Sequence, residues 1–280
     1  MAQPLAILTN VGSLSAQNNL AGTSAMMSKS IARLSSGLRV QSAADDAAGM
    51  AVSENMRAQL RGFQQALRNA NDGVSVLQTG ESGYQSVSDM LVRMRELAVQ
   101  AATDALSDSE RGFLNTEFQD LVQEIDRVSN TVEYNGIHLL DGTAGDGAGN
   151  MTFQVGTRNS ANDRITILLG DVDSTALAVN SASVDTLTNS QSAIDSIDGA
   201  LDTLANYRSD LGAAINHLTQ ASTHLGRTVE NYGAAVGQIR DTDVASESAN
   251  FARAQVLQQA GVSVLAQANS IPALALRLLG

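Results

Sequence analysis

From Ile194 onward, apolar residues recur at alternating steps of three and four: Ile197, Leu201, Leu204, Leu211, Ile215, Leu218, Leu225, Val229, Tyr232, Val236 and Ile239, with Arg208 and Ser222 as the two breaks. Held over more than six heptads, this rhythm predicts a coiled-coil-like seam on one helix from about Thr186 to Arg240. At 1.5 Å per residue such a helix is roughly 80 Å long, so it needs partners of similar length. The N-terminal half supplies them. Met56, Leu60, Phe63, Leu67, Ala70, Val74, Leu77 and Tyr84 keep the same spacing, which continues through Leu91, Met94, Leu97 and Ala101. A third helix is announced by Ser107-Asp108-Ser109-Glu110, a capping box in which serine and glutamate each satisfy a backbone N–H. Its stripe is Phe118, Leu121, Ile125, Val128 and Val132.

Period-two patterning replaces this rhythm after Asn135-Gly136, a pair suited to a turn with two positive-φ positions. "MTFQVG" and "RITILLGDV", separated by "TRNSAND", predict one or two β-hairpins. Residues 141–150, "DGTAGDGAGN", read as a flexible connector. At the chain ends the helical pattern returns in weaker form. Leu20, Met27, Ile31, Leu34 and Leu38 make one stripe. A segment rich in Ala, Val and Leu from Ala249, carrying Phe251, Val256, Leu257, Val264, Leu265, Leu274 and Leu276, makes another helix. Both are small-residue, near-neutral segments that form through tertiary packing and fray alone. The ends are therefore expected to pair with each other and with other copies. The fold class expected is mainly α: a long antiparallel helical bundle or coiled coil with a small β-hairpin region.

Composition sharpens this picture. The 280 residues are 3% aromatic with no tryptophan and two prolines, the make-up of helices packed side by side. The net charge is −12. Residues 1–60 hold four basic and three acidic groups and residues 241–280 two basic and three acidic, so the acidic excess lies between. Without a basic stripe, nucleic acid is not an expected partner. Zero cysteines exclude disulfides, thiol catalysis and thiolate metal sites. The N-terminal "MAQPLAILTNVGSLS" lacks a basic n-region and a sustained apolar core, so no cleaved secretory signal is expected there. No run of about 18 apolar residues predicts a spanning helix.

Candidate chemistry is sparse. Asp45 and Asp46 are adjacent, so on a helix they point about 100° apart and cannot share a proton. Ser42-Ala43-Ala44-Asp45 fits instead a capping box opening the next helix. His217 and His224 lie two turns apart, His138 follows the hairpin turn, and none has the i, i+4 spacing of a zinc site. The glycines of residues 142–149 are not followed by Gly-Lys-Ser/Thr or by a helix start, which excludes a phosphate loop. Neither a catalytic residue nor a cofactor is expected. In "LVRMRELAVQ", Arg93 and Arg95 lie on different sides of a helix, so at least one faces something other than the seam.

"RLSSGLRVQSAADDAAGMAVSENMRAQLRG", "ALRNANDGVSVLQTGE", "VRMRELAVQAA" and "EIDRVSNTVEYNGIHLLDG" resemble the N-terminal core of bacterial flagellins. "ENYGAAVGQIRDTDVASESANFARAQVLQQAGVSVLAQANSIPALALRLLG" is similar to their C-terminal core. The resemblance covers roughly residues 1–140 and 186–280. It implies a filament subunit for swimming motility with a two-part core. Residues 1–42 plus 243–280 would form a terminal helical domain lining the filament channel. Residues 43–242 would form an outer core of three long helices with β-hairpins at about 135–185. The stretch from Leu34 to Glu54 would be the corner between them.

The same resemblance implies unfolded export through the flagellar type III apparatus, an export chaperone on the C-terminal segment, and filament cap and hook-junction partners. It places the recognition site for the vertebrate Toll-like flagellin receptor at Arg93, Leu97 and Glu117. The variable outer domains of longer members are replaced here by only Asp141 to about Asp185, so a thin, smooth extracellular filament is expected. A hook-filament junction protein shares terminal heptads but not the dense motifs between residues 31 and 140. An enzyme of the protease-bearing flagellin type would need a larger variable region and an HExxH motif, which the chain lacks.

Overall fold

A computed structural model of the chain describes residues 10–279, with side chains through residue 270. The long elements are helices α1 (Val11–Ser36), α2 (Ala47–Ala101), α3 (Asp108–Thr131), α5 (Leu187–Arg240) and α6 (Val244–Leu279). Between α3 and α5 lie strands β1 (Glu133–Tyr134) and β2 (Ile137–His138), the short helix α4 (Ala144–Gly147), and strands β3 (Asn150–Gln154) and β4 (Arg164–Leu168). No described helix is long and apolar enough to cross a membrane. The chain divides into two compact units, residues 59–231 and residues 1–58 with 232–280.

In the unit of residues 59–231, α2 and α5 run antiparallel. Asn71 meets Ser222, Glu81 meets Arg208 and Arg95 meets Asp198, so numbers rise on one helix as they fall on the other. The predicted seam is the core: Leu77, Tyr84, Leu91, Met94, Leu97, Ile197, Leu204, Leu211 and Leu218 are buried. The two breaks in the seam are answered on α2. Arg208 Nη2 lies 2.7 Å from Glu81 Oε1, and Ser222 Oγ donates to Asn71 Oδ1 at 2.8 Å. A polar seam position with a matched partner disfavours a slip of one helix past the other.

Helix α3 opens with the expected box, Ser107 accepting from the Glu110 N–H while Glu110 accepts from the Ser107 N–H. Phe118 and Ile125 face the core. Arg111 is a buried charge the apolar pattern could not disclose. Its Nε donates to Ala101 O (2.9 Å), its Nη2 to Thr103 O (2.6 Å) and its Nη1 to Asp108 Oδ1 (2.8 Å). It thereby satisfies carbonyls left open at the C-terminus of α2.

The hairpins follow the sequence. Asn135 (φ 52°) and Gly136 (φ 78°) join β1 to β2, and β3 pairs antiparallel with β4 from Asn150↔Leu168 to Gln154↔Arg164. The ladder stops at Leu168, because Leu169 N–H bonds Gly149 O and Val172 N–H bonds Leu140 O while both side chains enter the core.

Two expectations are corrected by the structure. The glycine-rich segment 141–150 is an ordered turn: Ala144 is buried, α4 forms, and Asp146 accepts from the Ala148 and Asn150 N–H groups. A Cβ on Gly145 would lie 2.2 Å from Asn150 O and one on Gly149 2.6 Å from Leu169 O, so these glycines permit close backbone approach. The cap of α2 is Asp46, whose Oδ1 accepts from the Gly49 N–H at 2.8 Å; Asp45 closes the preceding turn instead.

In the unit of residues 1–58 and 232–280, α1 and α6 pair antiparallel. Asn10 Nδ2 donates to Ala268 O, Ser13 Oγ to Asn269 Oδ1 and Ser30 Oγ to Glu247 Oε1. Apart from Glu247, the residues they bury are small, Ser13, Ala16, Ser30 and Ala254, which lets the backbones approach closely. Helix α1 ends at Ser36 with Gly37 in the left-handed region (φ 72°), so Leu38 lies beyond the helix and bridges to Asp241. Val40 is buried beside it, and the Arg39 guanidinium donates to Ile239 O.

Candidate polymerisation surface

The α1/α6 pair leaves most of its large apolar side chains uncovered. Met26 is 64% exposed, Val256 65%, Val264 58% and Ile31 49%; Val11, Leu14, Leu257 and Val262 are exposed as well. Of the other residues expected at inter-subunit contacts, Leu20, Met27, Leu34, Leu38, Phe251 and Leu265 are half-buried. The side chains of Leu274 and Leu276 lie outside the described residues. With mainly small residues fully buried in the seam, two helices leave much of the Leu, Met, Ile and Val on both sides of the contact uncovered. Contiguous uncovered apolar surface on this scale marks an interaction site.

Two grooves run along the pair. One is lined by Met27, Ile31, Phe251, Val262 and the glutamines 255, 258 and 259. The other carries Met26, Leu257 and a charged set of Lys29, Arg33, Glu247 and Arg253.

The turn leading into α2 is held by charge. Asp45 Oδ1 lies 2.7 Å from Lys29 Nζ, and its Oδ2 accepts from the Gln41 and Ser42 N–H groups. The Lys29 hydrogen bond and these N–H groups bring the Asp45 carboxyl down to about 2 from 3.8. Arg240 Nη1 donates to Glu54 Oε1 at 2.6 Å and lowers its pKa.

On the other unit, Arg93 and Glu117 form an ion pair. Arg93 Nη2 lies 2.8 Å from Glu117 Oε1, and its Nη1 2.9 Å from Glu96 Oε2. Both carboxylates push the guanidinium pKa up. Leu97 is 1% exposed and packed in the core beneath that surface. Arg95 reaches the opposite side of α2 to Asp198 on α5, 2.6 Å away. His138, His217 and His224 are on the surface. Among the described residues, no group of three or more His, Cys, Asp or Glu is placed to hold a metal.

The arrangement defines a class: a helical protein whose paired terminal helices carry apolar surface that the described residues do not cover. The comparisons with known proteins supply the family. The description "bacterial flagellin N-terminal helical region" matches residues 7–145, and "bacterial flagellin C-terminal helical region" matches residues 194–279. A flagellin of Halalkalibacterium halodurans is 40% identical over 96% of this chain and 98% of its own length. A flagellar filament core protein of Brachyspira hyodysenteriae is 37% identical over 98% of this chain and 99% of its own. The crystal structure of Bacillus cereus flagellin superposes with a TM-score of 0.50 at 26% identity, covering 56% of this chain and 88% of that one. A flagellar hook-associated protein from Vibrio parahaemolyticus has the same fold, with a TM-score of 0.55 at 16% identity over 70% of this chain and 100% of that one. The chain belongs to the bacterial flagellin family.

Proposed function

We infer that the protein is the structural subunit of a bacterial flagellar filament, completed by rows of identical neighbours and used for motility. The uncovered apolar stripes of the α1/α6 pair carry this reading, together with family membership over nearly the whole chain. Packing many copies through these stripes removes apolar surface from water at about 25 cal/mol per Å². The antiparallel α2/α5 seam, with its polar pairs, makes a stiff element, because bending strains side chains at near-crystalline density. The role is mechanical rather than catalytic. Residues 1–42 with 243–280 serve as the channel-lining part and residues 43–242 as the surrounding part. The hook-filament junction reading is disfavoured by identity to flagellins along both terminal regions.

The test is electron microscopy of the purified chain after seeding with filament fragments. Long helical filaments support the reading; a chain that stays monomeric at high concentration with seeds present refutes it.

The family resemblance extends to partners. Export proceeds unfolded through the flagellar type III apparatus, with a chaperone on the C-terminal segment, and the cap and hook-junction proteins bound the filament at its ends. The monomer engages the Toll-like flagellin receptor through Arg93 and Glu117, whose exposed side chains support a polar contact, with Leu97 holding the helix beneath them. In a binding assay Arg93→Asp weakens the complex at least tenfold; unchanged affinity sinks the assignment.

A further inference from the structure

Charge is divided unevenly along this chain. Helices α1 and α6 together carry four basic side chains, Lys29, Arg33, Arg253 and Arg277, and one acidic, Glu247; the remaining residues hold thirteen basic and twenty-eight acidic. Three of those four cations, Lys29, Arg33 and Arg253, line one groove of about 230 Å³ between the two helices. Within it Glu247 is nearly buried, accepting from Ser30 Oγ at 2.5 Å and lying 3.5 Å from Arg33 Nη1. That single carboxylate does not serve the set. Arg33 Nε is out of contact with solvent and has no hydrogen-bond partner among the described residues. Among the described residues Arg253 reaches no carboxylate, and its Nη1 donates to the Asn250 side-chain oxygen at 3.4 Å. Lys29 turns away to Asp45.

A guanidinium with an unmet donor is under-served by its own chain, and an incoming carboxylate that pairs with the accessible nitrogens of Arg33 or Arg253 forms charge-assisted hydrogen bonds there. The walls formed by Met26, Ala254 and Leu257 are apolar, so an acid seated here is partly shielded from screening by salt.

We propose that this groove is the docking site for an acidic side chain of a second copy of the chain, so that α1/α6 association is charge-directed as well as hydrophobic. The proposal rests on the filament reading. The opposite groove, lined by Gln255, Gln258 and Gln259 with no charged side chain, has no such preference. The electrostatic asymmetry of the chain supplies the complement: cations gathered in this groove of a near-neutral terminal unit, and an acidic excess in residues 59–231 that a second copy can present to them. Charge complementarity of this kind fixes register and suppresses wrong pairings more than it adds raw affinity.

The test uses filaments assembled from an equal mixture of unlabelled and 15N-labelled full-length chain, treated with a zero-length carbodiimide that joins amines to carboxylates in contact. Lys29 reports in the parent, and Arg253→Lys adds a second amine while keeping the charge. Peptides linking Lys29 or the new amine to an Asp or Glu, with mixed isotopic labels, are expected. Only same-label products, such as Lys29 to Asp45, would overturn the proposal while leaving the filament reading intact. As a second measurement, Arg253→Glu should raise the critical concentration for assembly at least tenfold at low salt, with helix content unchanged. Assembly of this variant like the parent would also overturn it. If the parent forms no filament at all, the filament reading itself fails, and this proposal with it.

Discussion

Arg208 on α5 places Nε 3.0 Å and Nη2 2.7 Å from one oxygen of Glu81 on α2, at the position where the apolar rhythm of the seam breaks. Half-buried on both sides, the pair sets register at modest cost in stability. Arg208→Leu is expected to destabilise the bundle by about 1 kcal/mol, leaving Glu81 without its partner. Adding Glu81→Leu should restore urea stability while broadening the range of helix registers, read by disulfide trapping between cysteines introduced along α2 and α5. If the double variant stays in a single register, the pair is not the register device.

Arg111 ties the end of α2 to the start of α3 through two backbone carbonyls and Asp108. Replacement by leucine removes charge-assisted bonds and leaves the Ala101 carbonyl unsatisfied. A loss of about 2–3 kcal/mol in urea unfolding is expected. A change below about 0.5 kcal/mol would mean that water replaces the guanidinium without penalty.

Tyr84 is buried, donates from Oη to Gly170 O at 3.0 Å, and stacks on Tyr207 with ring centroids 6.3 Å apart. Gly170 lies flat on the Tyr207 ring, so that a Cβ there would stand 2.4 Å from ring atoms. Gly170→Ala must displace a rigid aromatic, and a loss of about 1–3 kcal/mol is expected, with weakened near-ultraviolet tyrosine signal. Wild-type stability in this variant would contradict the packing described.

Asp45 gives a pH dependence of defined sign. Its folded pKa, about 2, lies below the ordinary 3.8. Its contribution is therefore complete above about pH 4 and lost as pH falls toward about 2. Amide exchange at Gln41 and Ser42, corrected for intrinsic rates, should accelerate across that window, and Asp45→Asn should remove the dependence. Persistence of the acid transition in Asp45→Asn would assign it to another group.

The sequence disclosed what large apolar side chains write into it. The α2/α5 seam, the α3 stripe and both hairpins stand where period and turn chemistry put them, because burial of Leu, Ile and Phe dominates those contacts. Where small or polar groups decide, the pattern misled. The α1/α6 contact buries Ser13, Ala16, Ser30, Glu247 and Ala254, so the conspicuous Ile31 and Val256 stripes mark the uncovered faces. Segment 141–150 looked loose because glycine is ambiguous between freedom and close approach, and only the neighbouring backbone distinguishes them. Asp45 and Asp46 divide turn and cap between them, a one-residue distinction set by the chain's path. Arg111 carried no periodic signal.

Amide hydrogen exchange of the terminal helices, compared between dilute monomer and assembled filament, bears most directly on whether neighbouring copies complete this chain. Amides of residues 11–36 and 244–270 should exchange within seconds in the monomer, while the α2/α5 seam is already protected, and should slow by several orders of magnitude on assembly. Equal, strong protection of the terminal helices in the isolated monomer would show instead that the chain completes its own ends and needs no neighbour to order them.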